Sequence, residues 1–314
     1  MSRFLLAGLC VLAAGGALAA DPGPNDAVLG TGGPQSVFEA FGKAMCARAK
    51  TVSGLGCETR EIETWQMGLE GLADGRLNFA LVTTDRLMLV VAGDIEVDKA
   101  SELRAVLALP ATQVTILARP DRGISVADDL RKRFIRTAPP QTLGPFLDWL
   151  DEDGWGGEDL AGFGPMGFEN SVDGVCAGTF DAVVYLDGHP GELTDIATKR
   201  CPLRLVPLAD EAAARLTLTH PEIVATTIPG GLYPGEDRPV ASIGGYTVLL
   251  TLASAPESLV ERWLGAILGG YAEVQASHKS LASWPADKLR PRAFPVPLHP
   301  GAERAFAAKG ITPK

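Results

Sequence analysis

Apolar positions recur along the chain in two spacings that predict strands alternating with helices. A short apolar run over residues 27–31 is typical of a buried strand, and Val37, Phe41 and Ala44 follow it at helical spacing. Further strands are predicted at residues 59–63, 79–82, 133–137, 181–185, 203–208 and 242–252. Further helices are predicted at residues 69–72 after a turn at 65–67, at 128–131, from 144 and at 263–274.

This alternation indicates an open α/β fold rather than a β-sandwich. The length of 314 residues exceeds one ordinary domain and suits two, each with its own core. Residues 104–118 read as two strand-like runs broken near Pro110. Residues 242–252 form one long apolar run, of the kind that crosses between two domains.

The N-terminus has the order of features found in secretory signal peptides. Arg3 precedes an apolar run over residues 4–14, and Ala17-Leu18-Ala19 fits the A-x-A cleavage rule. The apolar run is shorter than the roughly 20 residues that span a membrane. We therefore expect a signal peptide over residues 1–19, cleaved after about Ala19, and export of a soluble mature chain.

Export would leave four cysteines in an oxidising compartment, and these allow three disulfide connectivities. Pairing the nearest neighbours in sequence, Cys46 with Cys57 and Cys176 with Cys201, closes two short loops. Closing loops of this length stabilises a fold by about 3 kcal/mol each. A metal site would need C-x-x-C or nearby histidine spacing, which the sequence lacks. We expect disulfides and no metal.

Composition and motifs argue against nucleic-acid binding and against catalysis. The chain has 28 basic and 38 acidic residues, a net charge of −10, whereas nucleic-acid binding normally leaves a basic footprint. It has no G-x-S-x-G elbow, no H-E-x-x-H helix and no phosphate-binding loop, and its four histidines are scattered singly. We expect a protein that is not an enzyme and needs no cofactor.

Four segments, in chain order, resemble motifs of the TAXI family of TRAP-transporter solute receptors. They are LGTGG at residues 29–33, CAGTFDA at 176–182 with GHP at 188–190, IPGGLYPG at 228–235, and PLHPGA at 297–302. The similarity runs from Val28 to about Lys309. Each motif is weak alone, whereas the four together are specific.

The resemblance implies a type II periplasmic binding protein, with two α/β lobes joined by two crossing strands. Lobe I would comprise residues 26–117 and 245–314, and lobe II residues 118–244. Such a receptor works in the periplasm as a monomer, closes on a small carboxylate such as glutamate or 2-oxoglutarate, and delivers it to a TRAP-type permease. The branch that this sequence resembles carries cysteines at both matched pairs, which supports nearest-neighbour disulfides.

Three ligand loops depart from the family pattern while the scaffold motifs persist. Residues 36–40 replace G-x-Y-Y-P, residues 66–70 replace GGSxxN, and residues 139–143 replace PGSG. Asp187 adds a carboxylate at the lip of the cleft, where it would repel an anion. We therefore expect a shifted specificity. The alternative is a periplasmic sensor or accessory protein that partners a membrane signalling protein instead of a permease.

The candidate ligand-binding residues lie at predicted strand ends and helix starts, where α/β clefts place ligand groups and where backbone N–H groups bind anions. Tyr233 would either stack on the ligand or brace the hinge, and Trp65 would be either a lid or a core residue. The candidates are Thr31, Gly32, Gly33, Gln66, Thr84, Asp85, Gln141, Thr142, Tyr185, Asp187 and Tyr233.

Overall fold

A computed structural model describes the chain over residues 26–34, 36–52, 54–137, 143–160, 162–208, 211–282, 284–291 and 294–312. The predicted signal peptide lies outside these residues. Within them, ten strands form one sheet and ten α-helices pack on it. Over the same ranges, no helix is both long enough and apolar enough to span a lipid bilayer.

The strands are β1 (Asp26–Thr31), β2 (Gly56–Glu61), β3 (Phe79–Thr83), β4 (Leu103–Ala118), β5 (Ile135–Thr137), β6 (Gly164–Pro165), β7 (Ala182–Asp187), β8 (Arg204–Leu205), β9 (Ile223–Ile228) and β10 (Val240–Leu252). The helices are α1 (Val37–Ala49), α2 (Trp65–Ala73), α3 (Thr84–Ala92), α4 (Gly144–Glu152), α5 (Phe168–Ala177), α6 (Glu192–Arg200), α7 (Glu211–Thr219), α8 (Glu257–Gly269), α9 (Tyr271–Ser277) and α10 (Pro300–Ala308).

Two long antiparallel strands, β4 and β10, run through the middle of the sheet and join its two halves. The strand order is β2-β1-β3-β10-β4-β7-β5-β6, with β8 added to β4 and β9 added to β10. We call the half with β1, β2 and β3 lobe I, and the half with β5 to β9 lobe II. The expected fold of two α/β lobes joined by two strands is confirmed. The predicted lobe boundaries fall within β4 and β10 and stay a prediction.

Each lobe has apolar cores on both faces of its sheet, because successive residues of a buried strand point to opposite faces. In lobe I, Phe79 of β3 packs with α1 and α8, and its ring stacks on Trp263 with centroids 4.6 Å apart. Its neighbour Ala80 packs on the other face with α2 and α3. In lobe II, Val184 of β7 packs in the core on one face of the sheet, and its neighbour Tyr185 packs in the core on the other face.

Several predicted elements differ from the structure. The single helix predicted at residues 263–274 is two helices, α8 and α9, that meet at Gly270, and the helix predicted at residues 128–131 is a short 3₁₀ helix at Ala127–Leu130. Residues 65–67 form the first turn of α2 instead of a separate turn, because the Thr64 side chain accepts a hydrogen bond from the N–H of Met67 and caps the helix. Pro110 does not break β4. The register passes from Tyr246 opposite Ala111 to Thr247 opposite Leu109, so Pro110 lies in a β-bulge, where its missing N–H removes no ladder bond.

The two disulfides join the predicted pairs. Cys46 of α1 bonds Cys57 of β2, and Cys176 of α5 bonds Cys201 after α6. The first bridge lies in the lobe I core, where Cys46 and Cys57 are 4% and 5% exposed and the indole N–H of Trp263 lies 3.4 Å from the Cys57 sulfur. The second is only partly buried and lies in lobe II.

The two bridges should differ in what they contribute to stability. Loop closure favours each by about 3 kcal/mol, but the buried pair also fills space in a close-packed core. Replacing Cys46 and Cys57 with alanine should therefore lower the free energy of unfolding more than replacing Cys176 and Cys201 with alanine. Urea unfolding under non-reducing conditions measures both losses, and equal or reversed losses would contradict this.

Candidate ligand-binding cleft

A cavity of about 280 Å³ lies between the two lobes, beside β4. Lobe I lines it with the turns that connect β1 to α1, β2 to α2 and β3 to α3. Lobe II lines it with the end of β7 and with the first turns of α5 and α6. Because both lobes supply walls, a molecule in this cavity contacts both at once.

The lobe I wall is built from three helix N-termini. Ser36 caps α1 by accepting a hydrogen bond from the N–H of Glu39, and Thr64 caps α2 in the same way. Thr83 is the N-cap residue of α3. The first N–H groups of a helix have no partner within it, and the helix dipole adds positive potential at that end. The lobe I wall therefore combines the positive ends of three helices with the acidic residue Glu63, which also lines the cavity.

Arg86 is the one cationic residue among the described residues that line the cavity. Its side chain is 12% exposed, and its Nε lies 3.4 Å from a carboxylate oxygen of Asp85. Burial raises the pKa of Asp85, which the charge of Arg86 opposes. Asp85 itself lies behind the wall.

Two buried polar groups on the cavity wall have no hydrogen-bond partner among the described residues. One is the indole N–H of Trp65, in a side chain that is 9% exposed, and the other is the hydroxyl of Thr112 on β4, which is 3% exposed. Leaving such a group unpaired costs about 1–3 kcal/mol. Both atoms have almost no accessible surface, although other atoms of their side chains line the cavity.

The carboxylate of Asp187 is occupied within lobe II. One oxygen accepts from the N–H of Gly188 at 2.9 Å, and the other accepts from the Thr194 hydroxyl at 2.8 Å. Tyr185 donates to the same hydroxyl at 2.8 Å. Burial raises the pKa of Asp187 to about 6, against the effect of these hydrogen bonds. Asp187 also accepts from the N–H of Thr194 at 3.4 Å and so caps α6, whose N-cap residue Gly191 has no capping side chain.

Tyr233 belongs to a second network behind the cavity. Its hydroxyl accepts from the N–H of Gly191 and bonds Nδ1 of His189, both at 2.7 Å, and Nε2 of His189 bonds Thr115 of β4 at 2.9 Å. Burial lowers the pKa of His189 to about 3 and raises that of Tyr233 to about 12, so both are neutral at pH 7. This network ties β7 to β4 beside the cis peptide bond between His189 and Pro190.

The lobes touch at several points around the cavity. The hydroxyl of Thr84 donates to the backbone carbonyl of Glu222 in lobe II at 2.8 Å. The start of α4 at Gly144 packs against Asp85 and Arg86 so closely that a Cβ would overlap them. A Cβ on Gly188 would lie 2.9 Å from Val37. These contacts describe a closed arrangement of the two lobes.

The structure brings some of the predicted site residues to the cavity and not others. Those on the wall are Gly32, Gly33, Tyr185 and Asp187. Thr31, Gln66, Thr84 and Asp85 adjoin wall residues without lining the cavity, and Tyr233 lies in the network behind it. Gln141 and Thr142 lie outside the described residues. Their roles in binding stay predictions.

Sequence reasoning missed Arg86, Phe38, Thr112 and Phe168 as wall residues. The rule that ligand groups lie at strand ends identified the start of α3, but it favoured the first two polar residues over the arginine that follows them. Phe168 opens α5, a helix that the pattern did not predict. The described residues contain no cluster of three or more His, Cys, Asp or Glu side chains that could hold a metal ion.

Residues 29–310 match the sequence profile of the NMT1-like family, which is most of the chain. The chain belongs to the NMT1-like family. The TAXI resemblance is a finer assignment than the NMT1-like family, and the family match alone does not show it.

Solved structures with 14% sequence identity share the fold of this NMT1-like protein. A histidine kinase sensor domain with similarity to periplasmic binding proteins has a TM-score of 0.50, over 82% of this chain and 96% of that one. The periplasmic aliphatic sulphonate binding protein SsuA from Escherichia coli has a TM-score of 0.50, over 93% and 95%. Tv2483, solved with bound L-arginine, also has a TM-score of 0.50, over 83% and 90%. At this identity the likeness shows the fold alone.

The position of Tyr233 predicts a structural effect for its hydroxyl. Replacing Tyr233 with phenylalanine leaves the N–H of Gly191 and Nδ1 of His189 without their partner. The free energy of unfolding of the NMT1-like protein should then fall by about 1–3 kcal/mol. Urea unfolding measures this, with Tyr246→Phe as the matched control. Unchanged stability together with a lost response to ligand would instead place Tyr233 in the binding site.

Asp148 on α4 should give the fold a pH dependence. Burial, together with the charges of Asp85 and Glu222, raises its pKa to about 6, against the opposing effect of Arg86 and His220. The folded protein therefore takes up this proton near pH 6, whereas the unfolded chain takes it up near an ordinary aspartate pKa of about 4. Because the folded state binds more protons between these values, the contribution of Asp148 to stability grows as pH falls from 7 to 5.

Asp148→Asn removes this titration. The free energy of unfolding of the wild type minus that of the variant should therefore increase as pH falls from 7 to 5, in urea titrations at fixed ionic strength. Asp151→Asn, at an exposed position of the same helix, is the matched control. A difference that is constant with pH, or that shrinks as pH falls, would contradict the prediction.

Proposed function

We propose that this protein is an extracytoplasmic solute-binding receptor that closes its two lobes on a small organic anion in the cleft. The observation that carries the proposal is the cavity itself. Lobe I walls it with three helix N-termini, Arg86 and Glu63, and lobe II walls it with β7, α5 and α6. A ligand that contacts both lobes favours the closed arrangement because the open one offers only half of these contacts.

The finer assignment is a TAXI-type receptor that delivers its ligand to a TRAP-type permease. It is supported by the four ordered motifs and by membership of the NMT1-like family. The two disulfides and the signal-peptide pattern support a periplasmic location, because disulfides persist in oxidising compartments.

A second candidate is a sensor or accessory protein that reports ligand to a membrane signalling partner. The observation that favours it is the fold likeness to a histidine kinase sensor domain, which this chain matches over 96% of that domain. The cleft would bind a ligand in either case. The two candidates differ in the membrane protein that recognises the closed receptor, a permease or a signalling protein.

Thermal unfolding of the oxidised protein from Asp21 onward, in a panel of organic anions, amino acids and neutral solutes, tests the receptor function. A ligand at 100 times its dissociation constant should stabilise the fold by about 2.7 kcal/mol, which raises the melting temperature. A shift that is lost in Arg86→Gln and retained in Arg76→Gln, an exposed arginine outside the cleft, supports the proposal. A melting temperature that no member of the panel changes would contradict it.

Deleting the gene separates the two candidates. Loss of uptake of the stabilising ligand, with the transcriptional response to that ligand intact, identifies a transport receptor. Retained uptake with a lost response identifies the sensor. A neighbouring gene for a TRAP permease would likewise support the transport receptor, and a neighbouring gene for a histidine kinase would support the sensor.

A further inference from the structure

The two disulfides differ in their access to solvent. Cys46 and Cys57 are 4% and 5% exposed and lie within the lobe I core. Cys176 and Cys201 are both partly exposed, and together they line a surface cavity of about 340 Å³. Cys201 also lines a second surface cavity, of about 480 Å³. A reagent in solution can therefore approach the lobe II bridge from two cavities, whereas core side chains enclose the lobe I bridge.

Access matters because a disulfide is reduced by direct attack of a thiolate on one of its sulfur atoms. The attack forms a mixed disulfide with one cysteine and releases the other cysteine as a thiolate. When the reductant is a dithiol, its second thiol attacks the mixed disulfide and releases the second cysteine. The reductant leaves as an intramolecular disulfide, and its two electrons and two protons remain on the two cysteine thiols.

The arginines that flank the lobe II bridge are engaged by carboxylates. Arg119 lines the smaller cavity and pairs with Asp121 in the same wall, at 2.9 and 2.5 Å. Arg200, which precedes Cys201, pairs with Asp173 at 3.1 Å. Access, rather than charge, therefore governs the attack of a thiolate on this bridge, and an uncharged dithiol is a suitable reductant.

The lobe II bridge joins the far ends of the two helices that wall the cleft. Cys176 is the penultimate residue of α5, and Cys201 directly follows α6. At the opposite ends of these helices, Phe168 and Leu193 line the cavity between the lobes. The bridge therefore fixes α5 and α6 relative to each other at the ends that lie away from the cleft.

The two helix ends differ in what holds them after the bridge is broken. Arg119 and Arg122 donate hydrogen bonds to backbone carbonyls at the end of α5, at 2.8 and 2.6 Å. At the end of α6, Arg200 pairs with Asp173 of α5, and both side chains are exposed. An ion pair between exposed side chains contributes little to stability. Reduction should therefore loosen the end of α6 more than the end of α5.

We propose that the Cys176–Cys201 bridge is a redox-active site that a dithiol reduces in the folded protein while Cys46–Cys57 stays oxidised, and that its reduction loosens α6 behind the cleft wall. The apolar core that packs α5 and α6 against β7 keeps lobe II folded in the reduced state. This inference goes beyond the receptor function, because neither the reduction nor its effect on α6 requires a bound ligand.

Timed reduction of the oxidised, folded protein with dithiothreitol tests the selectivity. Samples are quenched in acid, unfolded, alkylated with N-ethylmaleimide and mapped by peptide mass spectrometry. Cys176 and Cys201 should become free thiols at least tenfold faster than Cys46 and Cys57. The same reaction in urea is the control, since unfolding exposes both bridges and should make their rates similar. Equal rates in the folded protein, or faster reduction of Cys46–Cys57, would overturn the proposal.

Hydrogen–deuterium exchange tests the effect on α6. Amides in the second half of α6 should exchange at least threefold faster after reduction, with a smaller change in α5 and none in α1. The double variant Cys176→Ser/Cys201→Ser should show the same faster exchange without reductant and no further change when dithiothreitol is added. The reduced wild type provides this measurement if the variant does not fold.

Two results of the exchange experiment would contradict the effect on α6. Exchange in α6 that is the same in the oxidised and reduced protein would show that the bridge does not restrain this helix. Faster exchange throughout lobe II would show that the bridge is needed for folding and is not a local restraint. Either result leaves the receptor function standing, because that function is tested separately by ligand-dependent melting of the oxidised protein.

Discussion

The pairing of β4 with β10 is the contact on which both the fold and the cleft depend. These two strands run antiparallel from Leu103 opposite Leu252 to Gln113 opposite Gly244. Lobe I is built onto this ladder through β3, and lobe II is built onto it through β7 and β9. Because the same two strands belong to both lobes, their register sets where the lobe I helix N-termini lie relative to the end of β7.

Close approach within this ladder restricts the sequence at Gly244. A Cβ there would overlap the backbone carbonyl of Thr112, and Thr112 is the residue at which β4 meets the cavity. Any side chain at residue 244 would push β4 from β10 beside the ligand site. Gly244 therefore helps to set the position of β4 beside the cavity. The bulge at Pro110 lies two residues from Thr112 on the same strand.

Much of the fold follows from local patterns that the sequence displays. The segments that form β1, β3, β7 and β10 are apolar because both faces of each strand are covered. Their burial can therefore be predicted from their composition alone. The disulfide pairs follow from spacing and from the family resemblance. The bulge at Pro110 was not predictable from β4, because it depends on which residues of β10 lie opposite. The start of α2 at Trp65 depends on a single capping bond from Thr64.

The position of the site was predictable from the sequence, but the residues that line it were predictable only in part. The strand-end rule found the correct turns, but whether a given residue of a turn faces the cavity depends on the helix that follows it. That is why Arg86 lines the cavity while Thr84 and Asp85 do not. Asp187 shows the same limit for charge. From the sequence its carboxylate is expected to repel an anion. Its partner Thr194 lies in the first turn of α6, and no sequence motif identifies this pairing.

The hydrogen-bond chain through Tyr185, Thr194 and Asp187 has a consequence for how the cleft responds to ligand. Its members are buried and hydrogen-bond to one another, so the lobe II wall is held in place by contacts within lobe II. An ordered wall loses little conformational entropy when a ligand packs against it. The binding free energy is then available for drawing the lobes together, and lobe II acts as a rigid template against which lobe I closes.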